Sequence, residues 1–146
     1  MNVIWDIDGT IADGTKFEKY IKNDPKDWDR WIENLIHHDL HEDMVELYHM
    51  YHRAGHKNYV CTARRENCRL QTEAWFEKHG LHMAHNGIYM RQMNDYRPDF
   101  EVKEEMLLNF KANGIIIHKA YEDRISVVEM FRRNGVRCLH VSDGYY

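Results

Sequence analysis

The sequence predicts a three-layer α/β/α fold, a parallel β-sheet with helices on both faces. Two observations carry that reading. Short β-prone apolar runs alternate along the chain with longer stretches whose apolar residues recur at helical spacing, the sequence form of repeated strand–helix–strand crossovers. Each polar cluster capable of chemistry follows directly on one of those strand runs, and ligands of parallel sheets gather at the carboxyl ends of strands. With 146 residues the chain makes one domain with a real core and little room for a second.

The first strand is expected at residues 2–5, followed at once by Asp6, Asp8 and Thr10 at alternate positions with Gly9 between them. Successive side chains at a strand end point to opposite faces, so one aspartate can face a bound phosphate while the chain bends at Gly9. Two carboxylates this close repel unless a cation separates them, and a divalent ion is the usual answer. Residues 14–20 read as a loop and a short helix. Asp24 before Pro25 reads as a helix N-cap with proline in the first position, and Trp28, Ile32 and Leu35 or Ile36 as the buried stripe. The next helix carries Leu40, Met44, Leu47, Tyr48 and Tyr51, and Gly55 stops it. Residues from about 13 to 40 are therefore a small helical insert behind the first strand. It is too short for a large lid, so a mostly open site that suits a bulky substrate is expected.

Residues 57–61 form the second strand and end in Thr62-Ala63-Arg64. A hydroxyl and main-chain N–H groups there, followed by a helix N-terminus, make a small phosphate cradle, and the guanidinium of Arg64 is shaped to hold phosphate oxygens. Thr62 acting only as an N-cap explains the same triplet. Residues 67–79 are helical, with Leu70, Ala74 and Trp75 inward and Gly80 as the stop. A third strand at 87–90 leads into a polar loop through Arg91, Arg97 and Pro98. The helix of residues 99–113 buries Val102, Met106 and Phe110. Lys103 lies early in it, where the helix dipole disfavours a cation; it is either a site lysine or a solvated one among Glu101, Glu104 and Glu105. A β-branched strand at 115–119 runs into Glu122 and Asp123, acidic groups at the carboxyl end of a strand beside the first, as a magnesium site needs. The last helix packs Val127, Val128 and Phe131 and stops at Asn134-Gly135. Residues 137–141 close the sheet.

Composition narrows the function classes. A hydrophobic share of 43% and a net charge of −4 describe a globular chain without the broad basic surface that coats nucleic acid, though a grip on a strand's end stays open. No apolar run approaches a membrane span, and the chain opens on a strand rather than a leader. Cys61, Cys68 and Cys138 lack paired metal spacing and fit a reducing, intracellular setting. The histidine groups His37, His38, His41 and His79, His82, His85 come without HExxH or CxxC, so surface or satisfied histidines are the expected reading. Tyr145 and Tyr146 either stack on bases or merely end the chain.

The DxDGT run after a hydrophobic strand resembles the first motif of the haloacid-dehalogenase-like (HAD) phosphatases, whose core is Rossmann-like. The resemblance implies that Asp6 attacks phosphorus to form an aspartyl-phosphate and that Asp8 is general acid, then general base. By it Thr62, Lys103 and Glu122-Asp123 match the second, third and fourth motifs. Magnesium is then expected on Asp6, Asp123 and the main-chain carbonyl of Asp8. The superfamily more often has two aspartates in the fourth motif, so Glu122 is expected to support Asp123 or to replace it. Over nearly the whole chain, VIWDIDGTIAD, DMVELYHMY, TAR, PDFEVKEE and YEDRISVVEMFRRNGVRCLHVSDG resemble the 3′-phosphatase domain of phage-type polynucleotide kinase-phosphatases. That likeness implies substrate contacts from Thr62, Ala63, Arg64, Asp99 and Arg124, with Arg64 on the phosphate and Asp99 near Lys103 as a positioning carboxylate. There is no GxxxxGK[ST] to cradle ATP, and after the first motif only Lys16 stands where the family carries further basic residues. The expected activity is a magnesium-dependent 3′-phosphatase of DNA or RNA ends, cytoplasmic (in the host if phage-encoded), with a separate kinase or ligase as a candidate partner. The rivals are a 5′(3′)-deoxyribonucleotidase-like phosphatase of free nucleotides and a non-catalytic binding module.

Overall fold

In the computed structural model, which describes residues 1–144, the chain forms β1 (Asn2–Trp5), β2 (Ala12–Asp13), α1 (Lys19–Lys22), α2 (Trp28–Glu33), β3 (Asp39–Leu40), α3 (Glu42–Arg53), β4 (Lys57–Arg65), α4 (Arg69–Lys78), β5 (Ile88–Arg91), α5 (Asp99–Ala112), β6 (Lys119–Glu122), α6 (Ile125–Arg133) and β7 (Arg137–His140). Tyr145 and Tyr146 lie outside the described residues. The main sheet has the order β5-β4-β1-β6-β7, with every neighbouring pair parallel. The chain builds outward from β1 to β5, then returns to the other side of β1 for β6. That return puts the topological switch beside β1, where such sheets bind ligands.

Alternation along β1 divides the core. Val3 and Trp5 face the layer of α3 and α4, where Tyr48, Trp75 and Phe76 are buried. Ile4 faces the layer of α5 and α6, with Phe110, Val127, Val128 and Phe131. Trp5 stacks on Tyr121 at 4.4 Å, and its indole N–H donates to Asn58 Oδ1 at 2.8 Å. The Asn58 amide in turn donates to the carbonyls of Tyr48 and Ala84. A fully buried Asn is thus satisfied on both ends, as burial requires. The insert is clipped at its base by antiparallel pairing of β2 with β3, Ala12 opposite Leu40 and Asp13 opposite Asp39.

Several local expectations are corrected. Helix α2 starts at Trp28, capped by the Asp27 carboxylate accepting from the Arg30 N–H; Asp24 precedes a cis peptide to Pro25 instead. A different stripe faces inward, so Trp31 and Leu35 are buried while Trp28 is 53% exposed. Helix α4, which follows a 3-10 turn at Glu66–Cys68, likewise buries a different face from the one expected. Thr72, Trp75 and Phe76 turn inward, and Leu70 and Ala74 outward. Strand β4 continues through Arg65, so Thr62-Ala63-Arg64 is strand rather than the approach to a helix N-terminus. Strand β6 begins at Lys119, and residues 115–118 only lead into it.

Candidate active site

The chain turns sharply where β1 ends. The Ile7 carbonyl accepts from the N–H groups of Thr10, Ile11 and Ala12, and the Asp6 N–H is tied to the Tyr121 carbonyl on β6. Gly9 makes the turn with φ +81°, and a Cβ there would stand 2.1 Å from Asp123 Oδ2. Only glycine fits at that approach. Thr10 Oγ1 donates to Asp6 Oδ2 at 3.1 Å.

Lys103 reaches the turn from the N-terminal end of α5. It is 3% exposed and donates to Asp6 Oδ1 at 2.7 Å and Glu122 Oε2 at 2.6 Å. These two carboxylates answer the misfit of a cation early in a helix. Burial alone lowers the lysine, but Asp6 and Glu122 carry it well above its ordinary value. Asp6 is pushed up to about 7, first by burial and then by the charge of Glu122, with Lys103 pulling the other way. The other oxygen of Glu122 accepts from the main-chain N–H groups of Asp123 and Arg124, both at 3.1 Å.

Asp123 differs from its neighbours. It is fully buried, and neither carboxylate oxygen has a hydrogen-bond partner among the described residues. Burial, and then the charge of Asp6, push it up to about 10. Oxygens of Asp6, Glu122 and Asp123 lie within 4.8 Å of one another. Three carboxylates faced by one lysine leave an excess of negative charge, and orphaned oxygens beside a glycine that keeps the space open fit a hard divalent cation. Among the described residues Asp123 has both oxygens to offer such an ion, while each Asp6 oxygen accepts a single hydrogen bond, from Lys103 or Thr10, and keeps a lone pair for it. Glu122 has its oxygens committed to Lys103 and two N–H groups, which suits it to support.

The Asp8 side chain points elsewhere. Arg64 grips it through Nε to Oδ2 at 2.9 Å and Nη2 to Oδ1 at 2.7 Å, while Nη1 donates to Thr72 Oγ1 at 3.1 Å. Burial raises Asp8, but the Arg64 guanidinium outweighs it and holds the carboxyl below its ordinary value. Thr62 is buried, with Oγ1 accepting from the Arg64 N–H. Behind Asp8 sits His38, its Nδ1 4.0 Å from Asp8 Oδ1. It stacks on Phe17 and meets Trp31 edge-on, and burial pushes it down to about 4, so the ring is neutral.

Asp99 stands apart from the lysine group. It pairs with Arg91 and Arg124, each at 2.6 Å, so it organises two guanidiniums rather than positioning Lys103, which corrects the expectation. Arg91, expected in the loop after the third strand, belongs to the strand itself. It is buried at the end of β5 and donates to the carbonyls of Ala63, Asp95 and Arg97 as well as to Asp99. No sequence signal marks it, because its burial depends on β5 running one residue further than its apolar pattern. Lys16 pairs with Asp39 at the foot of the insert. Asp8, Ala63, Arg64, Arg91, Asp99 and Arg124 all line a cavity of about 560 Å³, a size that holds a small organic ligand. Among the described residues no helix is long and apolar enough to cross a membrane.

A family model described as "Polynucleotide kinase PNKP phosphatase domain" matches residues 1–146. Chains in two structures of the Pnkp1/Rnl/Hen1 complex, one titled an RNA repair complex, are each 25% identical with a TM-score of 0.83. Each alignment covers 99% of this chain and 43% or 47% of the other. This chain therefore spans less than half the length of those relatives. A hydrolase from Streptococcus pneumoniae TIGR4 shares the fold at 16% identity and a TM-score of 0.66, over 97% of this chain and 92% of that one.

Proposed function

The chain belongs to the polynucleotide kinase PNKP phosphatase-domain family, and from that premise we propose that it removes 3′-phosphates from DNA or RNA ends with magnesium as cofactor. The observation that carries the reading is the buried Asp6–Lys103–Glu122 group beside the orphaned Asp123 carboxylate, with Asp8 held separately by Arg64. Two aspartates two residues apart are thereby given opposite surroundings, the arrangement that separates a nucleophile from an acid/base.

In this mechanism an Asp6 oxygen attacks phosphorus, the bond to the 3′ oxygen breaks, and Asp8 delivers its proton to that leaving oxygen. Asp8 then takes a proton from water, which attacks the aspartyl-phosphate and frees inorganic phosphate and Asp6. Lys103 steadies Asp6, while Thr62, the main chain at Ala63 and Arg64 hold the phosphoryl oxygens. Magnesium on Asp6, Asp123 and the Asp8 carbonyl, supported by Glu122, supplies further positive charge there when bound. Arg64 links binding to chemistry: a substrate phosphate competes with Asp8 for the guanidinium, and Asp8 rises toward the range in which it can carry a proton. Asp99 sets Arg91 and Arg124 at the cavity rim for the strand's phosphates. The insert of residues 13–40 serves as a small cap on a single domain. The likeness to a chain of the Pnkp1/Rnl/Hen1 RNA repair complex supports RNA among the substrates and a separate ligase as partner, and a separate kinase is the other candidate partner. A cytoplasmic setting suits the buried, unbridged Cys61, Cys68 and Cys138.

The test is phosphate release from 3′-phosphorylated DNA and RNA strands, with and without magnesium, beside 5′-phosphorylated strands and nucleoside monophosphates. Magnesium-dependent release from the 3′ end, abolished in Asp6→Asn, is expected. Preference for the 5′ end or for monomers, or normal turnover by Asp6→Asn, refutes it.

A further inference from the structure

The same cavity is lined by two exposed aromatic residues from separate segments, Trp28 at the start of α2 and Tyr96 in the loop before α5. They are 53% and 78% exposed. Single exposed aromatics are ordinary, but these two share three features. Both open onto the cavity that holds Asp8 and Arg64. Both carry a cation against the ring, Lys26 at 5.3 Å from Trp28 and the Arg65 guanidinium at 4.7 Å from Tyr96. Neither Lys26 nor Arg65 has a carboxylate partner among the described residues, whereas Arg91 and Arg97 are held by acids. In a chain of net charge −4, the cavity lining carries six cations against two carboxylates. Arg65 gives Nη1 to the Met93 carbonyl at 2.7 Å, and a flat apolar plate beside a cation that no carboxylate neutralises, used twice, matches the repeat of a single strand, one base and one phosphate at a time.

Resting on the 3′-phosphatase reading, we propose that Trp28 and Tyr96 stack the unpaired bases of the terminal nucleotides, while Lys26 and Arg65 take the backbone phosphates between them. The subsite makes the enzyme read a strand end rather than a lone phosphate ester, without reading sequence, since every base has a stacking face.

The test uses a 3′-phosphorylated trinucleotide, the same trinucleotide with an abasic site at the last or the penultimate position, and a nucleoside 3′-monophosphate. For the natural protein, removing a stacked base should raise KM about 5- to 150-fold, the span produced by losing one base–aromatic stack, with kcat changed less. In the double variant Trp28→Ala/Tyr96→Ala, KM for the intact trinucleotide should already be raised by such a factor, and base removal should add nothing. Trp28→Phe/Tyr96→Phe should restore both the low KM and the response to base removal. Indifference of the natural protein to abasic sites, or an Ala variant that responds to them as the natural protein does, overturns the subsite alone while 3′-end turnover stands. If the trinucleotide is hydrolysed no better than the monophosphate, the 3′-end reading falls and the subsite falls with it.

Discussion

Replacing Lys103 by methionine keeps the buried chain and removes only the charge. Lys103 Nζ makes two charge-assisted bonds, 2.7 Å to Asp6 and 2.6 Å to Glu122, and nothing else described stands between those carboxylates to replace it. Removing one partner of a buried ion pair costs about 3–5 kcal/mol because the other charge is left uncompensated. At about 3 °C per kcal/mol for a chain of this size, the metal-free variant should melt about 10–15 °C below the natural protein at pH 8. The pH dependence follows from Asp6. In the natural protein Asp6 sits at about 7, and without Lys103 pulling it down it rises further. Above pH 7 the folded variant therefore keeps a proton that the folded natural protein and both unfolded chains have released. Stability falls with pH wherever the folded state binds more protons, so the gap between the two proteins should widen above pH 7, by up to about 1.4 kcal/mol per pH unit. Guanidinium unfolding in EDTA at pH 6, 7 and 8.5 reads this directly, and phosphatase kcat should drop at least about 100-fold alongside. Equal unfolding midpoints, or a gap that closes as pH rises, would refute the reasoning.

Asp123→Asn should stabilise the metal-free protein at pH 8, by up to about 5 kcal/mol, because the natural folded state must hold a proton on a group pushed up to about 10 while its unfolded chain does not. That advantage should fade toward pH 4, and added magnesium should raise the melting temperature of the natural protein and not of the variant; differential scanning calorimetry in EDTA and in magnesium checks both. Arg64→Lys cannot reproduce the two-toothed grip on Asp8 together with the Thr72 bond. With burial less opposed, Asp8 should rise, moving its limb of the kcat/KM–pH profile to higher pH and lowering kcat/KM by roughly 100-fold; an unmoved profile would show that Arg64 does not set Asp8.

Local pattern was enough for the architecture. Alternation in β1, helical stripes such as that around Tyr48, and glycine stops after α3, α4 and α6 require only neighbours in sequence, and they place Asp6 and Glu122-Asp123 at strand ends in a parallel sheet, with Thr62 on the neighbouring strand β4, which runs three residues beyond it. The motif order was equally legible, since a family pattern is a one-dimensional object. The faces of α2 and α4 were not, because the helical period offers more than one apolar stripe and docking on the sheet chooses which is buried, here Trp31 in α2 and Thr72, Trp75 and Phe76 in α4. Nor were the partners. Lys103 meets Asp6 across 97 positions and Arg64 meets Asp8 across 56, so whether the lysine is solvated or buried is decided only when α5 docks on the sheet. The same docking ties Asp99 to Arg91 and Arg124, spends the oxygens of Glu122, and leaves those of Asp123 bare. The sequence alone determined which groups stand at the carboxyl edge. The tertiary structure decided which charges neutralise one another there, because pairing energy depends on distance and burial, and neither is a property of a string.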